Sequence, residues 1–453
     1  MNKELWGKIQ QFSLDNPSDE YGFTIRLANE NFWTKEFTTL AILEYKKFMY
    51  LAAISDFMVS PSEIVDIVWH QHLIFTQSYQ DFCQLLGKQI QHVPSTHNRD
   101  EFEKFQQAKE RTKKLYTAVF GDQPKTIWEY RDMYESLNLD KAKYKIRTFI
   151  IFGILTFATL IIPSYFLLKP IYVKIYNPYF VKGYVFLCLL TFILLEFFNR
   201  NQLKNITSLF DENSFIYKLK PLEIIYLKTR KIENVINGAV NGLIVNKTII
   251  VHSDNKIEFS KFNSIPTIEQ AQIIAVLSGL GKTFYPALVK RLINKPVFWN
   301  TANCMNAFEK YFDKSKKFGI LFYLNFGVLT MLLMFGLIRL LTGIIREKPT
   351  SQILIMVLIL TGLIIYYLNR LTKLVCTLTI PNIYKNEILT KQKIQTDWQW
   401  SYFLLGNAVL TTAFVPIVNY QYKNSSDGSG CSSSSSSSCG SSCGSSCGGC
   451  GGD

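Results

Sequence analysis

The first 140 residues of this 453-residue chain contain no apolar run behind basic residues. A secretory signal is therefore not expected there, and residues 1–140 are expected to fold in the cytoplasm. Acidic residues become scarce after that point. Residues 1–140 hold 15 Lys/Arg against 20 Asp/Glu, a net of −5, which leaves +19 on residues 141–453 within an overall charge of +14. Charge of either sign is nearly missing from five segments, 148–168, 179–198, 318–338, 350–369 and 401–420. Each approaches the roughly 20 residues that a helix needs to cross a hydrocarbon core. Centrally placed ionisable residues, which usually mark ion or substrate paths, are almost absent from them, and this argues against a transporter. No glycine-rich or aromatic nucleic-acid motif is found either. The basic balance therefore reads as topology signals beside apolar spans, with nucleic acid an unlikely partner.

What the chain does have is apolar mass: 48% of it is hydrophobic and 14% aromatic. The fold class expected is mostly α, a polytopic α-helical membrane protein whose first partner is the lipid bilayer. A helical N-terminal cytoplasmic domain (1–140) and a small winged-helix-like α+β middle domain (199–317) complete it. Lys182 and Glu196 lie inside the ends of the second segment, where both side chains can reach the interface. The fifth segment contains Asn407, Thr411, Thr412 and Pro416, but Trp398, Trp400 and Tyr402 at one end and Tyr420 and Tyr422 at the other form an aromatic belt. It is expected to span. Lys141, Lys143, Lys145, Arg147, Arg200, Lys204, Lys314, Lys316, Lys317, Arg370 and Lys373 all fall on one side if the N-terminus is cytoplasmic. The opposite loops and their edges carry fewer: Lys169, Lys174, Lys182, Arg339, Arg346 and Lys348. The orientation predicted is multi-pass in the cell membrane with the N-terminus inside, and five spans place the C-terminus outside.

Four of the five histidines, His70, His72, His92 and His97, lie within 28 residues of one another, beside Asp66, Trp69, Tyr79 and Cys83. Ser60-Pro61-Ser62-Glu63 has the form of a capping box with proline at the first helical position, so a helix is expected to start at Ser60 and run through the histidine pair. Further helices are predicted over 38–57 and 99–119. His70 and His72 are two residues apart and leave a helix roughly 200° from each other, so they cannot clamp one ion as an i, i+4 pair does. Asp66 and His70 are four apart and share a face. After the Gly87 turn, His92 or His97 can approach them, which makes a carboxylate–histidine site for zinc or a similar divalent ion. The alternative is structural: Trp69 and one histidine pack in the core, and Asp66 only orients a ring nitrogen. A Cys83–His nucleophilic pair is the weaker chemical reading, because Cys83 follows Phe82 in an apolar turn.

The middle unit, residues 199–317, carries 18 Lys/Arg and 9 Asp/Glu, a net of +9. Helices are predicted over 222–227 and 232–244, followed by strands at 248–251 and 257–259 round a Ser253-Asp254-Asn255-Lys256 turn. That is the element order of a winged helix, which in a basic domain suggests DNA, although the same unit often serves only as a protein-contact module, and no nucleic-acid motif supports the former. The last 30 residues are serine and glycine with five cysteines, Cys431, Cys439, Cys443, Cys447 and Cys450. Such a composition cannot bury enough apolar area to fold, so a disordered tail is expected over 424–453. Its thiols have three possible uses: zinc or Cu(I) binding, disulfides if the tail is outside, or modification.

The run from Val65 to Pro94 carries Val65-Asp66, Trp69-His70, His72, Tyr79, Phe82-Cys83, Gly87, His92 and Pro94. It resembles the signature of the glycine-rich domain-containing proteins of plants and bacteria. The later run LKPLEIIYLKTRKIENVINGAVNGLIVN is similar to a pattern of bacterial membrane proteins that end in Cys/Gly-rich tails, with Lys228-Thr229-Arg230 in place of the usual glycine pair. The resemblance implies that the tail is a family trait and brings no reaction with it. The function expected is a non-enzymatic binding or assembly component that contacts a protein partner through its N-terminal domain. The competing expectation is a metal-dependent hydrolase using Asp66, His70 and His92.

Overall fold

The structure, a computed structural model, describes residues 2–16, 19–93, 99–262, 265–392 and 398–419. It is mostly helical, with one small sheet. The N-terminal unit holds α1 (Lys3–Gln11), α2 (Phe23–Asn31), α3 (Lys35–Ile54), α4 (Glu63–Ile74), α5 (Thr76–Leu86), α6 (Arg99–Phe120) and the short α7 (Lys125–Trp128). Thr34 caps α3 by accepting the Phe37 amide. In α4 that role belongs to Ser62, whose hydroxyl accepts the Val65 amide at 3.2 Å. The N-cap thus lies two residues beyond the Ser60 expected, and it is a simple cap rather than a capping box. Ser60 is already occupied: its amide donates to Thr112 Oγ1 (2.8 Å) and its carbonyl accepts from the same hydroxyl (3.0 Å), which fastens the loop to α6. Gly87 ends α5 at φ +71, a left-handed position suited to glycine.

Among the described residues, four helices are long and apolar enough to cross a membrane: α8 (Ile146–Lys174), α9 (Asn177–Thr207), α15 (Lys316–Ile345) and the helix from Ser351 to Ile388, which opens with α16 (Ser351–Leu374). Beyond α16 that last helix passes through two π-helical turns, Val375–Thr379 and Tyr384–Ile388, with α17 (Ile380–Ile383) between them, and α18 (Leu389–Gln392) follows. The four expected segments from 148 to 369 fall within these helices. Their outer faces present Phe152, Ile162, Phe166, Leu167, Phe186 and Phe197 to the exterior. Their inner faces hold a few fully satisfied polar groups. Asn199 and Asn325 exchange side-chain hydrogen bonds at 2.7 and 2.8 Å, with Tyr367 as a third member, and Glu196 meets Arg370 through both oxygens at 2.7 and 2.9 Å. Gly336 lets α9 come close, since a Cβ there would lie 2.5 Å from the Tyr184 hydroxyl.

Between α9 and α15 lies the middle unit: α10 (Pro221–Thr229), α11 (Ile232–Val245), β1 (Ile249–Val251), β2 (Lys256–Phe259), α12 (Ile268–Leu280), β3 (Thr283–Phe284), α13 (Tyr285–Leu292) and α14 (Pro296–Asp313). The expected hairpin is present, with Ile249 opposite Phe259 and Val251 opposite Ile257, and β3 adds a short antiparallel third strand beside β2. The two globular units touch. Glu223 accepts the Lys35 amide at 2.9 Å, Tyr134 stacks on Tyr311, and the Lys316 amide donates to the Asp140 carbonyl at 2.7 Å. Both units therefore sit at one end of the helix bundle, and the α8–α9 and α15–α16 connections sit at the other.

The fifth expected span, 401–420, is not one. Helix α19 (Trp398–Leu405) has eight residues, about 12 Å of helix against a hydrocarbon core of about 30 Å. It ends at Gly406, φ +64, and passes into a 3-10 turn, Gly406–Val409. Leu404 and Leu405 are exposed, but Tyr402 and Phe403 of this helix and Phe414, Ile417 and Val418 after it are buried in the core shared with the middle unit. Thr411 gives its amide and hydroxyl to Asn241 Oδ1 at 2.9 and 3.0 Å. The described segment 398–419 thus packs at the same end of the bundle as the N-terminal unit, which overturns the expected fifth crossing. The predicted tail, with Cys431, Cys439, Cys443, Cys447 and Cys450, lies outside the described residues.

Candidate metal centre

Asp66 is the hub of the histidine window. Its Oδ1 lies 3.0 Å from His92 Nε2 and its Oδ2 lies 3.3 Å from His70 Nε2. The His70 contact follows from helix spacing alone, four residues along α4. The His92 contact has to be built, and the chain after Gly87 shows how. Lys88 Nζ reaches back to the Ala52 and Ser55 carbonyls at the end of α3, at 3.1 and 2.7 Å. Two residues on, the Ile90 carbonyl accepts from the Tyr79 hydroxyl, and that hydroxyl itself accepts from Trp69 Nε1 at 3.1 Å. Burial pushes the Tyr79 pKa up, so the hydroxyl stays a donor. His92 then lands edge-on to Trp69, ring centroids 4.6 Å apart, and 4.4 Å from the His70 ring.

The donor set suits a divalent ion. One ligand atom from each of Asp66, His70 and His92 lies within 4.8 Å of the other two. Zinc takes imidazole nitrogens and carboxylate oxygens at about 2.0–2.2 Å, and three protein ligands leave one position open. Beside the trio is a cavity of about 240 Å³, walled by Met58, Val59, Pro61, Trp69 and Phe105 and edged by Glu63, one turn before Asp66. His70 is exposed and His92 nearly buried, so the site has a solvent side and a protein side.

His72, expected as a candidate ligand, is not part of this site. It is fully buried on the opposite face of α4, its Nδ1 2.7 Å from the Tyr45 hydroxyl and its Nε2 3.0 Å from the Ser78 hydroxyl. Burial pushes its pKa down to about 4, so it is neutral and structural. Cys83 is buried in the core, as its apolar turn suggested. His97 lies outside the described residues. The apolar wall of the cavity was not legible in sequence. Met58 and Val59 precede α4 and Phe105 belongs to α6, and the Ser60–Thr112 and Arg111–Met58 hydrogen bonds, with Arg111 over the Phe57 ring, bring these segments together.

Residues 26–120 match a family model described as UCP032817-like, and that stretch contains all three members of the trio. No curated protein and no solved structure matches the chain.

Proposed function

We propose that this chain is a membrane-embedded protein whose N-terminal unit binds a zinc-class divalent ion through Asp66, His70 and His92, beside the adjacent cavity. The observation that carries the reading is the convergence of two imidazole nitrogens on one carboxylate from separate segments of chain. An ion held by three protein ligands polarises a fourth, which is the arrangement used to activate water for hydrolysis. Glu63 is the nearby carboxylate able to take up a proton from such a water. The membrane part of the reading is supported by four helices of sufficient length with apolar outer faces. With four crossings, the cytoplasmic side predicted from the flanking charges would hold the N-terminal unit, the middle unit and the chain's end. The tail cysteines would then face a reducing compartment, which favours metal binding or modification over disulfides.

A second reading is an assembly component without metal. It is favoured by one specific fact: Asp66 already engages both rings, through a hydrogen bond with His92 at 3.0 Å and a contact with His70 at 3.3 Å, so the carboxylate is partnered without an ion. Its resemblance to the glycine-rich domain-containing proteins belongs with this reading, as does a middle unit serving protein contact. Elemental analysis of the full-length protein, purified from membranes without chelator, separates the two. The metal reading expects about one zinc-class ion per chain, and Asp66→Ala or His92→Ala weakens binding more than about 100-fold, since losing a supporting residue alone costs 10–100-fold. A metal-free chain whose melting is indifferent to added zinc and to chelator would leave the assembly reading. Retention in the membrane pellet after an alkaline wash tests the membrane reading separately.

A further inference from the structure

At the end of the bundle away from the globular units, the α8–α9 and α15–α16 connections meet round a cavity of about 750 Å³. Its wall carries Lys174, Arg339, Arg346 and Lys348 and no acidic residue. Among the described residues none of these four cations forms an ion pair. Arg339 is fixed in place. It is 9% exposed, its guanidinium donates to the carbonyls of Tyr172 and of Ile175 (2.9 Å), and it lies 5.0 Å over the Phe180 ring. Those carbonyls lie at the C-terminal end of α8, where a cation is expected. The other three cations are exposed and have no such use. Two long helices, α9 and α16, also begin at this cavity, with Asn177 and Thr350 in its wall, so two partial positive charges add to the four full ones.

Topology does not account for this concentration. Positive charge gathers at the cytoplasmic ends of spans, and this is the opposite end from the globular units. Like charges brought together round one cavity repel, and an anion with several acceptor oxygens relieves that repulsion. Tyr176 stands exposed in the cavity wall, as aromatic residues do at headgroup depth.

We propose that this pocket binds a phosphate-bearing anion, either the headgroup of an anionic phospholipid or a free phosphoester. The lipid source rests on the membrane reading above; the pocket itself does not. The test uses full-length protein in mild detergent, with phosphatidylglycerol, phosphatidylcholine of the same chains and inorganic phosphate as probes, and with bound lipid read by native mass spectrometry. Phosphatidylglycerol is expected to bind at least about tenfold more tightly than phosphatidylcholine, because each cation near an anionic headgroup contributes about 1 kcal/mol. The double variant R346Q/K348Q, changed at two exposed positions, is expected to lose that preference while melting unchanged in lipid-free detergent. K169Q, one charge fewer on α8 but outside the pocket wall, is expected to keep it. Competition by inorganic phosphate supports recognition of the phosphate group itself. Phosphate binding without phosphatidylglycerol binding assigns the pocket to a free phosphoester. Equal binding of the two lipids with no phosphate binding, or an equal loss of preference in K169Q, overturns the proposal.

Discussion

The two faces of α4 use the same residue type for opposite ends. His70 and His72 are two positions apart, and the helix sends their rings in nearly opposite directions. On the outer face His70 keeps one nitrogen on Asp66 and remains exposed, next to a cavity and a second ring. On the inner face His72 spends both nitrogens on the hydroxyls of Tyr45 and Ser78 and is packed edge-on by Phe23, Tyr45 and Tyr79. A histidine makes a ligand when a ring nitrogen is left over and reachable. The inner face leaves none.

The sharpest test of this contrast is His72→Ala. It removes a buried ring and leaves two hydroxyls without a partner, so a loss of about 3–5 kcal/mol is expected, seen as a fall in the melting temperature of the full-length protein. Metal content measured below that temperature should not change. Reduced metal at a temperature where the variant is folded would break the distinction between the faces.

A pH series examines the same residue without mutating the parent chain. The folded pKa of His72, about 4, lies below the value of about 6.5 for an unfolded histidine. The unfolded chain therefore binds more protons in that window, and stability, complete above about pH 6.5, falls as pH drops towards 4. The full effect is about 3 kcal/mol. His72→Gln should show a shallower decline over the same interval, and an unchanged slope would mean that other groups set the acid response.

The smallest effect expected comes from the helix start that both faces share. Ser62→Ala removes the cap on the Val65 amide and should cost about 1 kcal/mol, lowering the melting temperature slightly with no change in metal stoichiometry. Ser60→Ala, which keeps the backbone contacts to Thr112, should cost less. The reverse ranking would return the cap to Ser60.

Periodicity gave a good account of what depends on local spacing. The pairing of Asp66 with His70 and the separation of His70 from His72 both follow from 3.6 residues per turn. The approach of His92 was legible only as a chain reversal at Gly87, because its final position depends on Lys88, Tyr79 and Trp69 acting across three helices. Four apolar helices were legible from their length. Segment 401–420 was misread because hydropathy reports that side chains avoid water and is silent on whether lipid or protein replaces it. Asn241 Oδ1 there accepts both the amide and the hydroxyl of Thr411, 170 residues away. The Ser60 box failed for a related reason, since its backbone had a tertiary partner that no local rule includes.

That last apolar segment also sets an order of events for the growing chain. Phe414 and Val418 are fully buried in a core whose first helices were made almost two hundred residues earlier, and Tyr402 presses on Gly238. Before residues 398–419 leave the ribosome, the middle unit has an open apolar groove and Asn241 lacks its partner. The unit is therefore completed only after α15 and the long helix that follows it have been made. Closing so long a loop is slow, and a chain truncated before Trp398 would leave that groove as a sticky surface for chaperones and proteases to find.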